Sequence, residues 1–186
     1  ASLFPVSPVL LLDRISWPYA LALSTLALAA ILTDISRSTE TNRLTWAGSL
    51  AFTALGILAA MAGNPLTLML AWAALDLIEL VIMLLRVNPV EQREQVVITF
   101  SARVAGILAL AAAAGLSSEI PLSFTQIAPQ SSIFLLLAAG LRLGVFPLHL
   151  PFLEQAHLQR GLGTLFTLLP AGTSLMLLTR AASAAS

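Results

Sequence analysis

The chain has 186 residues; 58 % are hydrophobic, only 10 % are charged, and the formal net charge is zero. Soluble domains carry about a quarter of their residues as charges, so this composition excludes an ordinary soluble domain. With no basic excess it also gives no reason to expect a nucleic-acid partner, and the absence of cysteine excludes disulfides, thiol catalysis and cysteine-held metals.

The first residues, ASLFPVSPVLLLDR, are punctuated by proline and are expected at a membrane interface. No basic leader precedes a cleavage site, so no signal peptide is expected, and a chain opening on Ala1 reads as processed or partial. Trp17 and Tyr19 stand where an aromatic belt would lie, at the head of a first span of about Ser16 to Thr33. A polar loop, Asp34 to Arg43, leads to a second span of about Leu44 to Ala62. Gly63, Asn64 and Pro65 make a tight turn into a third, about Leu66 to Leu85. The charged loop Arg86 to Glu94 precedes a fourth, about Val96 to Leu116. After a proline-containing loop comes a fifth, about Ile133 to Leu150, broken by Pro147 and Pro151. A sixth, about Leu162 to Leu178, is expected to kink near Pro170. Each apolar run of ~17–21 residues suffices to cross ~30 Å of hydrocarbon, and continuous rather than alternating runs exclude a β-barrel pattern. The expected fold class is therefore all-α, a polytopic transmembrane helix bundle of about six spans forming a single membrane domain over residues 1–186.

All the basic residues are arginine. Arg37, Arg43, Arg86, Arg93 and Arg160 fall on one side of such a bundle, Arg14 and Arg180 on the other. Arginine bias then places the connections after spans one, three and five in the cytoplasm.

Four ionisable residues fall inside spans: Asp76, Glu79, Arg103 and Arg142. A charge at mid-span costs roughly 2.5–3.5 kcal/mol on insertion scales, so such residues are rarely idle. At ~1.5 Å per helical residue, Glu79 and Arg103 both lie ~10 Å deep on the same side, on consecutive helices, and are expected to pair. Asp76 and Arg142 are both near mid-depth and are expected to pair across the third and fifth spans. Asp76 and Glu79, three apart, share a helix face. Two carboxylates and two guanidiniums balance, as buried charges must. Two readings stand together at this point: a structural clamp between helices, and a hydrophilic track for protons. Arginine does not titrate under ordinary conditions, which weighs against active pumping through these four.

His149, Glu154 and His157 follow the proline break at its cytoplasmic end, where protons would enter, or where a histidine would simply be hydrogen-bonded at the interface. The histidine spacing does not fit a metal pair, and no metal site is expected. No catalytic triad, phosphate loop or nucleotide fingerprint is present, so no catalytic residues and no cofactor are expected. Trp72 reads as packing.

The stretch GLRLGVFPLHLPFLEQAH, Gly140 to His157, resembles the broken-helix signature K-x-x-x-F-P-L/F-H-x-W-L-P-D-A-H of antiporter-like membrane subunits. These occur in proton-translocating NADH:quinone oxidoreductase (complex I), in related membrane hydrogenases and in Mrp-type sodium/proton antiporters. SPVLLLDRISWPYALAL resembles the family's D-x-L-S start of an early span, and GNPLTLMLAW, Gly63 to Trp72, resembles its N-L-x-x-L-F-x-x-W-E element. The order and spacing correspond to the family's third through eighth spans, about one inverted repeat. The chain departs from the pattern where the chemistry lies. The family's key glutamate is replaced by Ala73, with Asp76 one turn later. Its broken-helix lysine is Arg142, and Pro151 takes the place of a tryptophan. Pro147 and His149 match, Glu154 stands for the family's aspartate, and His157 needs a one-residue insertion. The resemblance implies a subunit of a NADH/ferredoxin:quinone oxidoreductase-like complex, degenerate in its proton relay, partly structural and without a redox role of its own. It implies other membrane subunits as partners; a bacterial inner membrane is the expected location, since dominance of alanine and leucine is most simply explained by a GC-rich bacterial genome. The alternatives are half of an ion/proton antiporter working with a partner chain, and a non-transporting scaffold of another membrane complex.

Overall fold

A computed structural model of the chain describes residues 7–37, 43–86, 90–116, 124, 129–145 and 160–185. Among these residues all regular structure is helical: α1 Ser16–Arg37, α2 Arg43–Ala60, α3 Pro65–Arg86, α4 Val90–Leu116, α5 Pro129–Leu143 and α6 Arg160–Ala185. The only strand-like element among them is one bridge between Leu10 and Ala62. Four stretches, Ser16–Thr33, Pro65–Leu85, Arg93–Leu116 and Gly163–Ser183, are long and apolar enough to cross a membrane. The apolar parts of α2 and α5, Trp46–Ala60 and Ser131–Leu143, are shorter. The chain is thus an integral membrane protein by its helices as well as its composition.

Local chemistry sets the helix starts. The Asp13 carboxylate accepts from the Ile15 and Ser16 amides at 3.1 and 2.6 Å, while the Ser16 hydroxyl accepts from the Asp13 amide at 2.8 Å. This is a reciprocal capping arrangement that satisfies donors with no partner in the helix. At α3, Asn64 caps the Thr67 amide at 2.8 Å and Pro65 occupies the first position, where its missing N–H costs nothing. The segment before α1 is laced to this turn: Gly63 donates to the Val9 carbonyl at 2.8 Å, and Val9 donates to the Thr67 hydroxyl at 2.8 Å.

The helices follow one another up and down. α4 lies antiparallel to α5, as Ser131 against Ala113 and Ala138 against Gly106 require. α1 is likewise antiparallel to α6, with Tyr19 bonded to Thr179 at 2.7 Å and Leu23 against Gly172. α6 closes the bundle against α1, α2, α3 and α5. Lipid tails are as apolar as leucine, so helices in a bilayer associate through close packing rather than hydrophobic burial. Small residues make that packing here: a Cβ on Gly106 would stand 3.1 Å from the Ala138 carbonyl oxygen and 3.2 Å from Arg142 Cγ. The outward faces carry exposed Leu28, Leu32, Leu77, Val81, Leu108, Ile133 and others, a lipid-facing surface.

The fifth helix ends earlier than the prolines in the sequence imply. α5 stops at Leu143, where Gly144 takes a left-handed φ of 74° and Val145 donates to the Gly140 carbonyl at 3.0 Å. Glycine adopts that conformation without a Cβ penalty, so it stops the helix ahead of any proline. Pro147 and Pro151 lie outside the described residues. Pro170 lies inside a continuous α6, and the Thr173 and Ser174 hydroxyls both donate to its carbonyl, at 3.0 and 2.8 Å.

Candidate functional site: a charged cavity between four helices

The four intramembrane charges come together. Arg142 grips Asp76 with both terminal nitrogens, Nη1 to Oδ2 at 2.6 Å and Nη2 to Oδ1 at 2.9 Å. Arg103 Nη1 donates to Glu79 Oε2 and stands 3.8 Å from Asp76 Oδ1. Asp76 is therefore shared by two guanidiniums and Glu79 is held by one. Planar guanidinium against planar carboxylate gives two parallel charge-assisted bonds, which lysine cannot make.

Each position follows from its helix. On α3, Trp72, Asp76, Glu79 and Met83 succeed one another at three- and four-residue steps and form one stripe. Arg142 lies in the last turn of α5, where unpaired carbonyls favour a cation. Its stem passes over Gly106 of α4, where an added Cβ would stand 3.2 Å from Arg142 Cγ. Its guanidinium also lies on the Trp72 ring, 4.3 Å from the centroid, and Trp72 Nε1 donates to the Thr173 hydroxyl on α6 at 3.1 Å. Trp72 is thus more than packing: it stacks on the deepest charge and ties it to α6.

A cavity of about 400 Å³ adjoins the cluster, walled by α3, α4, α5 and α6. Asp76, Glu79, Arg103 and Arg142 line it together with Thr99 and Thr167; the remaining lining is apolar. Side-chain exposure falls from 12 % at Arg103 and 9 % at Glu79 to 1 % at Asp76 and none at Arg142. Arg142 Nε has no hydrogen-bond partner among the described residues. The arrangement can hold water and fix three helices, α3, α4 and α5, by charge.

A second buried arginine was not singled out by the sequence. Arg180, 3 % exposed near the end of α6, stands 3.1 Å from the Asp13 carboxylate and 5.3 Å from the centroid of the Phe124 ring. Burial pushes the Asp13 carboxyl up, but bonds from Ser16, the Arg180 charge and the Ile15 amide outweigh it and hold the group below its ordinary value. The available signal was the D-x-x-S capping pattern at Asp13; nothing local marks Arg180 as its partner.

His149, Glu154 and His157 lie outside the described residues. Among the described residues no group of three His, Cys, Asp or Glu side chains is placed to hold a metal. Compared with protein-family models, curated proteins and solved structures, the chain matches none.

Proposed function

We propose that the chain is an antiporter-like membrane subunit of a proton-translocating quinone oxidoreductase-like complex, with six spans, and that its charged cluster serves mainly to hold helices together. The observation that carries this reading is the joined, net-neutral set Asp76, Glu79, Arg103 and Arg142 inside an apolar bundle. Charges are kept at that depth only when paired, and in membrane proteins they mark ion pathways or the remains of them. The motif resemblance supplies the host complex, and the two arginines supply the reason for a relay that has become structural. A carboxylate held by two parallel bonds from a guanidinium acts as a fixed clamp between helices.

The test is purification from the native membrane under mild detergent. The reading expects this chain to migrate with a quinone-reducing complex that contains further antiporter-like subunits. It also expects vesicles holding the chain alone to show no proton or sodium flux. Recovery of the chain in a complex without quinone reductase activity would contradict it.

The second reading, half of an ion/proton antiporter, draws on the polar cavity beside Glu79 and Arg103. It expects flux from the chain with its partner, abolished by Asp76→Asn; flux unchanged in that variant removes the relay.

A further inference from the structure

We infer that the extended segment before α1 is a membrane-surface anchor. It lies flat between the headgroups and the acyl chains, with Val9 to Leu12, Arg14 and Trp17 set against the phospholipid of the surrounding leaflet. The inference rests on the chain being an integral membrane protein and not on the complex that hosts it.

One backbone edge of the segment is taken up by the protein. Leu11 donates to the Met61 carbonyl at 2.7 Å, Gly63 to the Val9 carbonyl at 2.8 Å, and Val9 to the Thr67 hydroxyl at 2.8 Å. The Ser16 hydroxyl donates to the Leu11 carbonyl at 3.1 Å, and the Asn64 amide to the Ser7 carbonyl at 2.8 Å. These bonds hold the segment across the α2–α3 turn, beside the first turn of α1. They use the backbone groups of residues 9 and 11. In an extended chain those of residues 10 and 12 face the other way. The N–H and C=O groups of Leu10 and Leu12 have no partner among the described residues. The side chains are apolar and open, Val9, Leu10, Leu11 and Leu12 being between 41 and 55 % exposed.

These two features set the depth. Hydrocarbon would accept the side chains but not the unpaired backbone edge. Bulk water would accept the edge but leave a run of four apolar side chains uncovered. The boundary between headgroups and acyl chains accepts both. Arg14 and Trp17, both exposed beside the segment, are side chains that favour that level, the guanidinium reaching phosphate and the indole lying among headgroups. The neighbouring acid does not repel phosphate, because Asp13 is engaged by Arg180, Ile15 and Ser16. The strip also continues a lipid-facing surface. Leu21 on α1, Leu58 on α2 and Leu70 on α3 are all exposed, and each lies within two turns of the helix end that the segment crosses. The lipid that coats those helices is therefore the occupant of the strip.

The absence of cysteine lets one label be placed at a time. Leu10→Cys and Leu12→Cys are made in the whole chain, with Leu28→Cys, exposed in the middle of α1, as the reference. Val9 and Leu11 lie over Gly63, so labels at 10 and 12 leave the contacts of the segment with the turn in place. Each variant, with whatever copurifies, carries a nitrobenzoxadiazole label into vesicles of phosphatidylcholine and phosphatidylglycerol. Quenching is compared for nitroxides on the lipid headgroup, high on the acyl chain and at the chain end, and for iodide in the water. Labels at 10 and 12 are expected to be quenched most by the two shallow nitroxides, and several-fold less by the chain-end nitroxide and by iodide. The Leu28→Cys label is expected to be quenched most by the chain-end nitroxide. With Arg14→Glu added, headgroup quenching of the label at 12 is expected to weaken. Strongest quenching by iodide would place the strip in water, and quenching by none of the four would place it under another protein. Either result, or strongest quenching from the chain end, would overturn the anchor. Headgroup quenching unchanged by Arg14→Glu would remove that residue from it. None of these readings depends on quinone reductase activity or on ion flux, so the anchor and the proposed function can fail separately.

Discussion

Two buried arginines in this chain meet carboxylates in opposite ways. Arg142 is fully enclosed, bonded twice to an equally enclosed Asp76, stacked on Trp72 and joined through Asp76 to Arg103 and Glu79. Arg180 is nearly as buried but meets a single carboxylate, Asp13, whose side chain is 31 % exposed. The first is a closed network at depth, where Arg142 and Asp76 are almost without exposure. The second is a staple near the membrane edge, where solvent can replace a lost partner. The cost of a broken ion pair should follow this difference in environment and not the number of bonds drawn.

The sharpest way to break the comparison is Arg142→Ala. It leaves Asp76 with only Arg103, 3.8 Å away, and a cluster of net charge −1. Loss of one partner of a buried pair costs about 3–5 kcal/mol, so folded yield in membranes should collapse; Arg180→Ala, measured side by side, should keep most of it. Next in size is Gly106→Val, which drives a side chain into the Ala138 carbonyl oxygen and the Arg142 stem. Overpacking of this kind costs ~1–3 kcal/mol and should lower the thermal midpoint without changing charge.

Trp72→Leu removes both the stacking and the bond to Thr173, while Trp72→Phe keeps a ring and loses only the donor. A buried cation–π contact is worth ~2 kcal/mol and a hydrogen bond ~0.5–1.5, so midpoints should fall in the order wild type, Phe, Leu. Equal midpoints for the two variants would mean that the ring face contributes nothing.

The smallest effect belongs to the staple. Asp13→Asn keeps an acceptor for the Ser16 amide but drops the charge facing Arg180, and a partly exposed pair is worth ~0–1 kcal/mol. Because the folded Asp13 carboxyl titrates below its ordinary value, its contribution is present above the unfolded pKa of about 3.9 and is lost as pH falls through the folded value. The protection factors of the Val9, Leu11 and Gly63 amides, which tie this segment to the α2–α3 turn, should therefore fall at acid pH, and Asp13→Asn should show the lower protection already at neutral pH.

The same contrast explains what could be read from the sequence. Asp76, Glu79, Arg103 and Arg142 stand out because ionisable residues in long apolar runs are anomalous, and helix rise alone puts the two pairs at matching depths. Asp13 and Arg180 do not stand out, since charges at the ends of spans are ordinary and 167 residues separate them. Pro147 and Pro151 are the louder signal in the sequence for the end of α5; Gly144, with its positive φ, stops the helix first. Trp72 in an apolar helix carries no local mark of the guanidinium it will meet, because that guanidinium arrives from α5. The cavity is a property of four helices in three dimensions, and no single stretch encodes it.

The central claim is that Asp76 and Arg142 stabilise the bundle as a pair and not as separate polar groups. A double-mutant cycle tests it most directly, with membrane-inserted, folded protein measured for Asp76→Asn, Arg142→Gln and both together. Either single change leaves the cluster charged, whereas the double leaves Glu79 and Arg103 neutral together. The account predicts that the double variant recovers most of what each single loses, an interaction energy of about 2 kcal/mol or more. Losses that simply add would contradict it.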